Sequence, residues 1–308
     1  GYRTMFDSQV GTVTAWPSLL SFAASWDASL TREFASALGR EFRAKGANVI
    51  LGPSVNVHRV ARNGRNAEYL SGEEPRLGEV LVAAYVQGVQ SEKVAAVVKH
   101  YALNNQETHR ATVDVEVDER TRREVYYPPF EAAVRAGVAS FMCSYNLVDG
   151  EHACGSEALS SELRDGLGFA DGWMMSDWWA VHSSDAARGG VDQNMPGNDG
   201  WFDLYRLGGA SGESDSRPHG LVGQMAERVV RGALAADAYD AMPCHVGCDC
   251  GPLMMDGVST SAEHRALARR AAASSVVLLK NEGVLPLQRD PPAGRLRIAL
   301  QREDALAP

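Results

Sequence analysis

Short apolar runs that alternate with amphipathic segments constrain the fold of this chain more than any other feature. Four runs are typical of buried strands; they cover residues 48–51 (NVIL), 94–98 (VAAVV), 140–143 (SFMC) and 173–175 (WMM). Between them, residues 30–45, 77–90 and 122–135 have helical periodicity, and Gly46 and Gly137 follow two of these segments as glycine often follows a helix. This alternation predicts a parallel sheet whose strands are joined by helical crossovers.

Polar or turn-forming residues follow each apolar run at once. The four strand exits read Gly52-Pro53-Ser54, Lys99-His100, Ser144-Tyr145-Asn146 and Ser176-Asp177-Trp178. In parallel α/β folds, and above all in (β/α)8 barrels, chemical groups sit at the C-terminal ends of strands. Any strand needs a polar exit into a loop, but exits that together carry Lys, His, Tyr and Asp indicate one functional face of a barrel.

Length and charge restrict the partners that we expect. The 308 residues allow one large domain or two smaller ones. The formal net charge of -9 argues against a nucleic-acid partner or an anionic membrane surface, and no uncharged apolar run approaches the roughly 20 residues of a membrane-spanning helix. Oligomeric state stays open. Because the chain begins with Gly1 and shows no signal-peptide pattern, we expect further sequence upstream.

The cysteines suggest two different uses. There are five: Cys143, Cys154, Cys244, Cys248 and Cys250. The last three, with His245, form a C-x3-C-x-C pattern that could be read as a zinc site. Structural zinc sites usually use paired C-x2–4-C units separated by a longer span. We therefore predict disulfides or free thiols in a loop, and no metal.

Asp177 is the best candidate for a catalytic residue. It directly follows the run at 173–175 and is flanked by Ser176 and Trp178. A carboxylate among cations from neighbouring strands stays ionised, as a nucleophile that attacks an anomeric carbon must. Trp178 could form a stacking wall for the C–H face of a sugar ring. The alternative is a helix N-cap aspartate.

Cationic and imidazole side chains at neighbouring exits could bind sugar hydroxyls. Lys99 and His100 would point to opposite sides of an extended strand, but a turn at the strand end can bring both toward one site. Arg65 lies in a polar loop. Its planar guanidinium could donate hydrogen bonds to two hydroxyls of a sugar at once, with Glu68 holding it in position. The alternatives are a surface lysine, a histidine satisfied within the core, and a solvated loop ion pair.

Longer motifs resemble those of glycoside hydrolase family 3, in its β-glucosidase branch. They read GRNAEYLSGEEP at 64–75, KHYALNNQETHR at 99–110, MCSYNLVDG at 142–150 and MMSDWWAV at 174–181, supported by MPG at 195–197. The resemblance extends from about residue 14 to VLLKNEGVLPL at 277–287. The SDW tripeptide is similar to the glucosidase branch, whereas the related xylosidases usually place Cys after the Asp. KHYALNNQE differs from the KHFPGHG of the N-acetylhexosaminidase branch.

This resemblance implies a fold, a reaction and a set of site residues. The fold class is α/β: an incomplete (β/α)8 TIM-type barrel followed by the start of an α/β sandwich domain. The reaction is a retaining double displacement on β-glucosides or short β-linked oligosaccharides, without a cofactor. Asp177 becomes the nucleophile; the sugar contacts become Arg65, Lys99, His100, Arg110 and Tyr145, and the pocket lining becomes Met142 and Trp178. Some secreted relatives bridge the positions of Cys143 and Cys154, which implies an oxidising, secreted or vacuolar compartment.

Three domain segments follow from the same comparison. We predict a partial barrel at 1–235, an insertion and linker at 236–261, and the beginning of a sandwich domain at 262–308. Within them, 208–220 is expected to be an exposed loop, 249–261 an interdomain linker, 262–274 a helix and 275–280 a strong strand, with another strand starting at 297–300.

Departures from the family pattern limit the expected activity. The family's upstream DGP motif is not in the sequence, the acid/base Glu is expected beyond Pro308, and IALQREDALAP stands where relatives continue with a turn like IGPNA. These features suggest a truncated or mis-spliced chain. Retaining chemistry needs two carboxyl groups roughly 5 Å apart, so we expect the isolated chain to be weak or inactive. The alternatives are a β-xylosidase, a dual-specificity β-glycosidase, or a non-catalytic sugar-binding remnant.

Overall fold

A computed structural model describes residues 13–208, 220–239, 244 and 247–287. The chain divides into two compact units, 1–276 and 277–308. The helices of the first unit are α1 Leu19–Ser25, α2 Ala28–Ala44, α3 Pro75–Gln90, α4 Glu119–Thr121, α5 Pro128–Arg135, α6 Glu157–Ser161, α7 Leu204–Gly208, α8 Leu221–Ala235, α9 Gly251–Asp256 and α10 Ala262–Ser274. Its strands are β1 Val49–Ile50, β2 Ala95–Tyr101, β3 Asp114–Val115, β4 Ser140–Cys143, β5 Leu147–Val148, β6 Glu151–His152 and β7 Trp173–Ser176. Among the described helices, none is long and apolar enough to cross a membrane.

A four-stranded parallel sheet organises the first unit. Its strand order is β1-β2-β4-β7, with α3 between β1 and β2, α5 between β2 and β4, and α6 between β4 and β7 along the chain. This confirms the predicted α/β class, and the parallel strands place their C-terminal ends at one edge. A smaller sheet of β3, β5 and β6, which the sequence patterns did not predict, follows the exits of β2 and β4.

Both faces of the main sheet are covered, which explains why its strands read as continuous apolar runs. In β2, Ala96 and Val98 belong to the larger hydrophobic cluster, whereas Ala95 and Val97 belong to a smaller one on the other face. All four of these side chains are 0% exposed. On the first face, α2, α3 and α5 pack in succession. The sheet is therefore a rigid base for the loops at its C-terminal edge.

A bulge near the end of β2 sets the direction of two side chains. Lys99 lies opposite Met142 of β4, but the next paired residues are Tyr101 and Cys143. His100 is therefore an extra residue on the bulged strand, and a bulge re-aims side chains locally. The strand also runs past the predicted boundary at Val98, so that Lys99 and His100 lie within it.

The predicted helix at 122–135 is wrong in its continuity. Residues Arg122–Tyr126 form a π-helical turn, and α5 begins only at Pro128. Pro128 and Pro129 have no N–H to donate to the preceding turn, whereas proline is well accommodated at the first position of a helix. The chain therefore restarts its helix at Pro128.

The segment predicted as a linker, 249–261, contains the short helix α9, which the sequence patterns did not predict. The ammonium of Lys45, at the end of α2, donates to the carbonyl of Met254 at 3.0 Å and to that of Gly257. The following helix, α10, covers the predicted range 262–274, and its His264 Nδ1 lies 2.7 Å from Glu41 Oε1 of α2. α9, the turn after it and α10 thus contact α2 and the lysine at its end, and the domain boundaries stay a prediction.

The strand predicted at 275–280 does not form. In the described part of the chain no strand pairs with it, and Leu279 is 91% exposed. An apolar, β-branched run becomes a strand only where a neighbouring backbone satisfies its hydrogen bonds. Most of the loop predicted at 208–220, and the strand start predicted at 297–300, lie outside the described residues.

Candidate active site

Asp177 lies at the C-terminal end of β7, between backbone groups of two loops. Its N–H donates to the carbonyl of Cys143 at the end of β4, at 3.3 Å, and its carboxylate Oδ1 accepts the N–H of Trp178 at 2.8 Å. The residue is 8% exposed. No helix begins at Asp177 in the described structure, so the alternative of a helix N-cap is wrong. The side chain is held at the sheet edge with Oδ1 anchored.

His100 faces Asp177 from the neighbouring part of the sheet. Its Nε2 lies 3.3 Å from Asp177 Oδ2 and its Nδ1 lies 2.8 Å from the hydroxyl of Tyr69. The Asn56 amide holds the His100 backbone at both ends, accepting its N–H at 2.8 Å and donating to its carbonyl at 3.0 Å. Burial, and then the charges of Lys99 and Arg65, lower the pKa of His100 well below its ordinary value. The ring is therefore neutral near pH 7.

Lys99 and Arg65 meet at Glu68. The Lys99 ammonium lies 2.7 Å from Glu68 Oε1, and the Arg65 guanidinium binds both carboxylate oxygens at 2.9 and 3.0 Å. Burial alone would raise the pKa of Glu68, but the charges of Lys99 and Arg65 and their hydrogen bonds outweigh it and lower the pKa strongly. The Lys99 side chain is 12% exposed. The alternative of a surface lysine is therefore wrong. The Arg65–Glu68 pair is partly solvated, with side chains 24% and 37% exposed, so its role stays a prediction.

Glu107 connects Arg65 with Arg110, and Arg110 in turn lies against Tyr145. Glu107 Oε1 lies 3.6 Å from the Arg65 guanidinium, and its Oε2 lies 2.9 Å from that of Arg110. The Arg110 guanidinium lies 4.3 Å from the centre of the Tyr145 ring. Burial, the negative charge of Asp177 and the hydrogen bond to it raise the pKa of Tyr145. Tyr145 therefore keeps its proton.

Trp178 and Met142 belong to the hydrophobic side of the site. Half-buried Trp178 packs against the smaller core cluster, of which Met142 and Met175 are members. Met142 itself is 1% exposed, so it supports this region from the core and presents almost no surface. Trp179, by contrast, is 55% exposed.

The loop that carries Tyr145 is fixed on both sides. Ser144 Oγ and Asn146 Nδ2 donate to the carbonyl of Ala102, at 2.9 and 3.1 Å, which ties the exit of β4 to that of β2. Cys143 and Cys154 form a disulfide with a Cα–Cα distance of 5.1 Å, within the ordinary range. The bridge that the family resemblance implied is thus present.

The remaining three cysteines form a separate cluster. Cys248 and Cys250 are joined by a disulfide and Cys244 is a free thiol. In the described part of the chain, this trio is the group of His, Cys, Asp or Glu side chains close enough to share a metal ion, with its sulfur atoms within 4.8 Å of one another. The disulfide occupies two of the three sulfurs; the sequence had left disulfides and free thiols as alternatives, and both occur.

Partner residues around the predicted set were the main omission of the sequence reasoning. Tyr69 and Glu107 lie inside the motifs at 64–75 and 99–110, but their spacing does not reveal which side chains turn toward Asp177. Asn56 lies in no motif that was singled out. Glu68 and Glu107 join Lys99, Arg65 and Arg110, and the Arg110 guanidinium lies over the Tyr145 ring. Asp177 contacts His100 and the Trp178 N–H, and Trp178 packs against the core cluster that contains Met142.

Comparison with known proteins points to one family. The sequence model described as "Glycosyl hydrolase family 3 N terminal domain" matches residues 4–195. A β-glucosidase of Rhizobium radiobacter is 40% identical over 286 residues, covering 91% of this chain and 33% of the relative. "Beta-glucosidase BoGH3A" of Bacteroides ovatus is 38% identical over 281 residues, covering 87% and 36%. The chain thus spans about a third of the length of these curated relatives.

Solved structures agree with the sequence comparison. The β-D-glucoside glucohydrolase of Trichoderma reesei superposes with a TM-score of 0.81 at 32% identity, covering 90% of this chain and 38% of that one. DesR, a β-glucosidase from Streptomyces venezuelae solved in complex with D-glucose, superposes with a TM-score of 0.75 at 33% identity, covering 91% and 36%.

Proposed function

Because the chain belongs to glycoside hydrolase family 3, we propose that it supplies the nucleophile and the sugar-binding donors of a retaining β-glucosidase, with Asp177 as the nucleophile. The observation that carries this proposal is the position of the Asp177 carboxylate at the C-terminal edge of the sheet, 3.3 Å from the His100 imidazole. Catalytic groups of barrel enzymes lie at this edge.

The environment of Asp177 suits a nucleophile. Trp178 N–H fixes Oδ1, while the His100 imidazole and the Tyr145 hydroxyl act on the same carboxylate. The Trp178 N–H donates to this carboxylate, and we propose that the His100 imidazole and the Tyr145 hydroxyl donate to it as well when the nucleophile attacks. In the first step an oxygen of Asp177 bonds to the anomeric carbon while the bond to the aglycone oxygen breaks and that oxygen takes a proton from a general acid. Water then attacks the same carbon, gives up its proton to that residue and releases Asp177.

The two glutamates of the site are unsuited to be that general acid. An acid of this kind needs a raised pKa so that it holds a proton to give. Glu68 accepts from Lys99 and Arg65, and its pKa is lowered. Glu107 is paired with Arg65 and Arg110. We propose that both serve to hold the cations and that neither is the acid/base residue.

The cationic side chains of the site have more N–H donors than their contacts with Glu68 and Glu107 use, so donors remain for the hydroxyls of a pyranose. A lysine ammonium has three N–H donors and a guanidinium five; the contact to Glu68 uses one of those of Lys99, and the contact to Glu107 one of those of Arg110. Trp178 beside the nucleophile offers an aromatic surface for the C–H face of the ring. We therefore propose terminal non-reducing β-D-glucosyl residues as the substrate class, in line with the names of the relatives.

The test is covalent trapping with 2,4-dinitrophenyl 2-deoxy-2-fluoro-β-D-glucoside. Dinitrophenolate leaves without protonation, so the first step depends on the nucleophile and not on an acid. We expect a stable glycosyl ester on the peptide that contains Asp177 when the chain is incubated with the probe and digested for mass spectrometry. Asp177→Asn should abolish the label, whereas Asp199→Asn, at a half-buried aspartate of the following loop, should keep it.

Three results would count against the proposal. A label on a peptide without Asp177 would refute the assignment of the nucleophile. Equal or faster labelling by the corresponding fluoroxyloside would favour the β-xylosidase or dual-specificity alternative. Binding of glucose without labelling by either probe would favour a sugar-binding protein without nucleophilic activity.

A further inference from the structure

We propose that Tyr69 is a positioning residue that fixes the tautomer of His100, so that the imidazole presents an N–H to Asp177. The consequence for catalysis rests on the proposed function of Asp177, but the tautomer itself does not. Tyr69 was not among the residues that the sequence motifs suggested.

The contacts of His100 leave one consistent arrangement of protons. A neutral imidazole has one donor nitrogen and one acceptor nitrogen. The carboxylate of Asp177 only accepts, so Nε2, 3.3 Å from Oδ2, is the nitrogen that carries hydrogen. Nδ1 is then the acceptor and needs a donor, which is the Tyr69 hydroxyl at 2.8 Å. Burial raises the pKa of Tyr69, so this hydroxyl keeps its proton.

The surroundings hold the ring in place and keep it neutral. Tyr69 is 2% exposed and His100 is 1% exposed, so water does not reach either group to replace the hydrogen bond between them. The charged groups acting on the ring are Lys99, Arg65 and Arg110, which oppose its protonation, and Glu68, which favours it, together with Asp177 in direct contact. The Asn56 amide fixes the backbone of His100 on both sides. The ring orientation is held by the contacts of Nδ1 with Tyr69 and of Nε2 with Asp177.

The tautomer decides whether His100 stabilises or destabilises the negative charge of the Asp177 carboxylate. With hydrogen on Nε2, the ring donates to Oδ2 and supports the anion. With hydrogen on Nδ1, the Nε2 lone pair would face Oδ2, two acceptors would oppose each other, and the Tyr69 hydroxyl would have to accept rather than donate. A buried acceptor without a donor is costly, so removal of the Tyr69 hydroxyl should disturb this side of Asp177 specifically.

The experiment is NMR spectroscopy of the full chain labelled with 15N-histidine. Two-bond nitrogen–proton correlations distinguish protonated from unprotonated ring nitrogens, and the missing signal in His100→Gln assigns His100 among the eight histidines. In the unmodified chain we expect a neutral ring with hydrogen on Nε2 only. Hydrogen on Nδ1 instead would overturn the proposal without any variant having to fold.

Tyr69→Phe tests the cause. The hydroxyl stabilises the neutral ring by donating to Nδ1, so its loss should shift the Nδ1 resonance toward that of an unbonded nitrogen and raise the pH at which His100 titrates. Tyr127→Phe is the matched control, because Tyr127 is equally buried and its hydroxyl bonds a side chain elsewhere, Glu162. Unchanged His100 signals in Tyr69→Phe, or equal changes in both variants, would refute the role.

This readout is separate from the test of Asp177 as the nucleophile. The tautomer is observed without substrate, so failure of fluoroglucoside labelling leaves the assignment of Tyr69 intact. Conversely, labelling of Asp177 combined with hydrogen on Nδ1 of His100 would keep the proposed function and reject Tyr69 as its positioning residue.

Discussion

Breaking the Cys143–Cys154 disulfide is expected to lower the free energy of unfolding by about 3 kcal/mol. The bridge joins residues 11 positions apart. In the loop-entropy description, closure of a loop of this length restricts the unfolded chain by about 9 cal/mol/K, which at 25 °C is about 2.8 kcal/mol, or roughly a hundredfold in the unfolding equilibrium. Both cysteines are buried, at 0% and 3% exposure, so the native contacts should survive reduction largely unchanged.

The assay compares oxidised and reduced forms of one polypeptide. Replacement of Cys244, Cys248 and Cys250 by alanine leaves Cys143–Cys154 as the remaining bridge, and the sample is unfolded in urea with and without a phosphine reductant. Because the two forms differ only in the S–S bond, no cavity or buried hydroxyl complicates the difference. A loss below about 1 kcal/mol would refute the reasoning, since the unfolded loop would then already be compact without the bond.

Two further predictions concern charged groups. The pKa of Glu68 is lower in the folded chain than its ordinary value of 4.5, so the folded state binds fewer protons and its stability should fall as pH drops below that value; Glu68→Gln should flatten this dependence in urea melts, and parallel curves would contradict it. Asp192, whose side chain is 0% exposed, pairs with Arg164 at 2.9 Å and Arg228 at 2.6 Å. Asp192→Asn should cost about 3–5 kcal/mol because both guanidinium groups lose the negative charge that compensates them and one acceptor oxygen is replaced by an NH2 donor; Asp171→Asn, at an exposed pair, should show no measurable loss, and equal losses in the two variants would reject the argument.

The sequence predicted the sheet well because parallel strands buried on both faces leave continuous apolar runs. The strand predicted at 140–143 coincides with β4, and Asp177 stands directly after β7 as expected. At 275–280 the same apolar pattern predicted a strand that does not form, because no neighbouring strand pairs with it. Apolar composition indicates that a segment tends to be buried, but it does not indicate that a partner strand is present. The break before Pro128 could have been predicted from its two prolines.

The details of the site depended on contacts that no periodicity encodes. The bulge that brings Lys99 and His100 to the same site arises from the register between β2 and β4. Likewise, Glu107 holds Arg65 and Arg110 together only because the loops after β1 and β2 meet in space. Side chains within one motif could be singled out from the sequence, but their partners in another motif could not.

Charges alternate around the nucleophile, and they cancel. The cations are Lys99, Arg65 and Arg110, the anions are Glu68, Glu107 and Asp177, and the imidazole between them is neutral. A cleft built in this way presents strong local dipoles but little net field to the solvent. An uncharged ligand can exchange hydrogen bonds with it without altering that sum, so ions of the medium screen the empty and the occupied cleft almost alike. The cleft would therefore select its ligand by the directions of its hydrogen-bond donors and not by long-range electrostatic attraction.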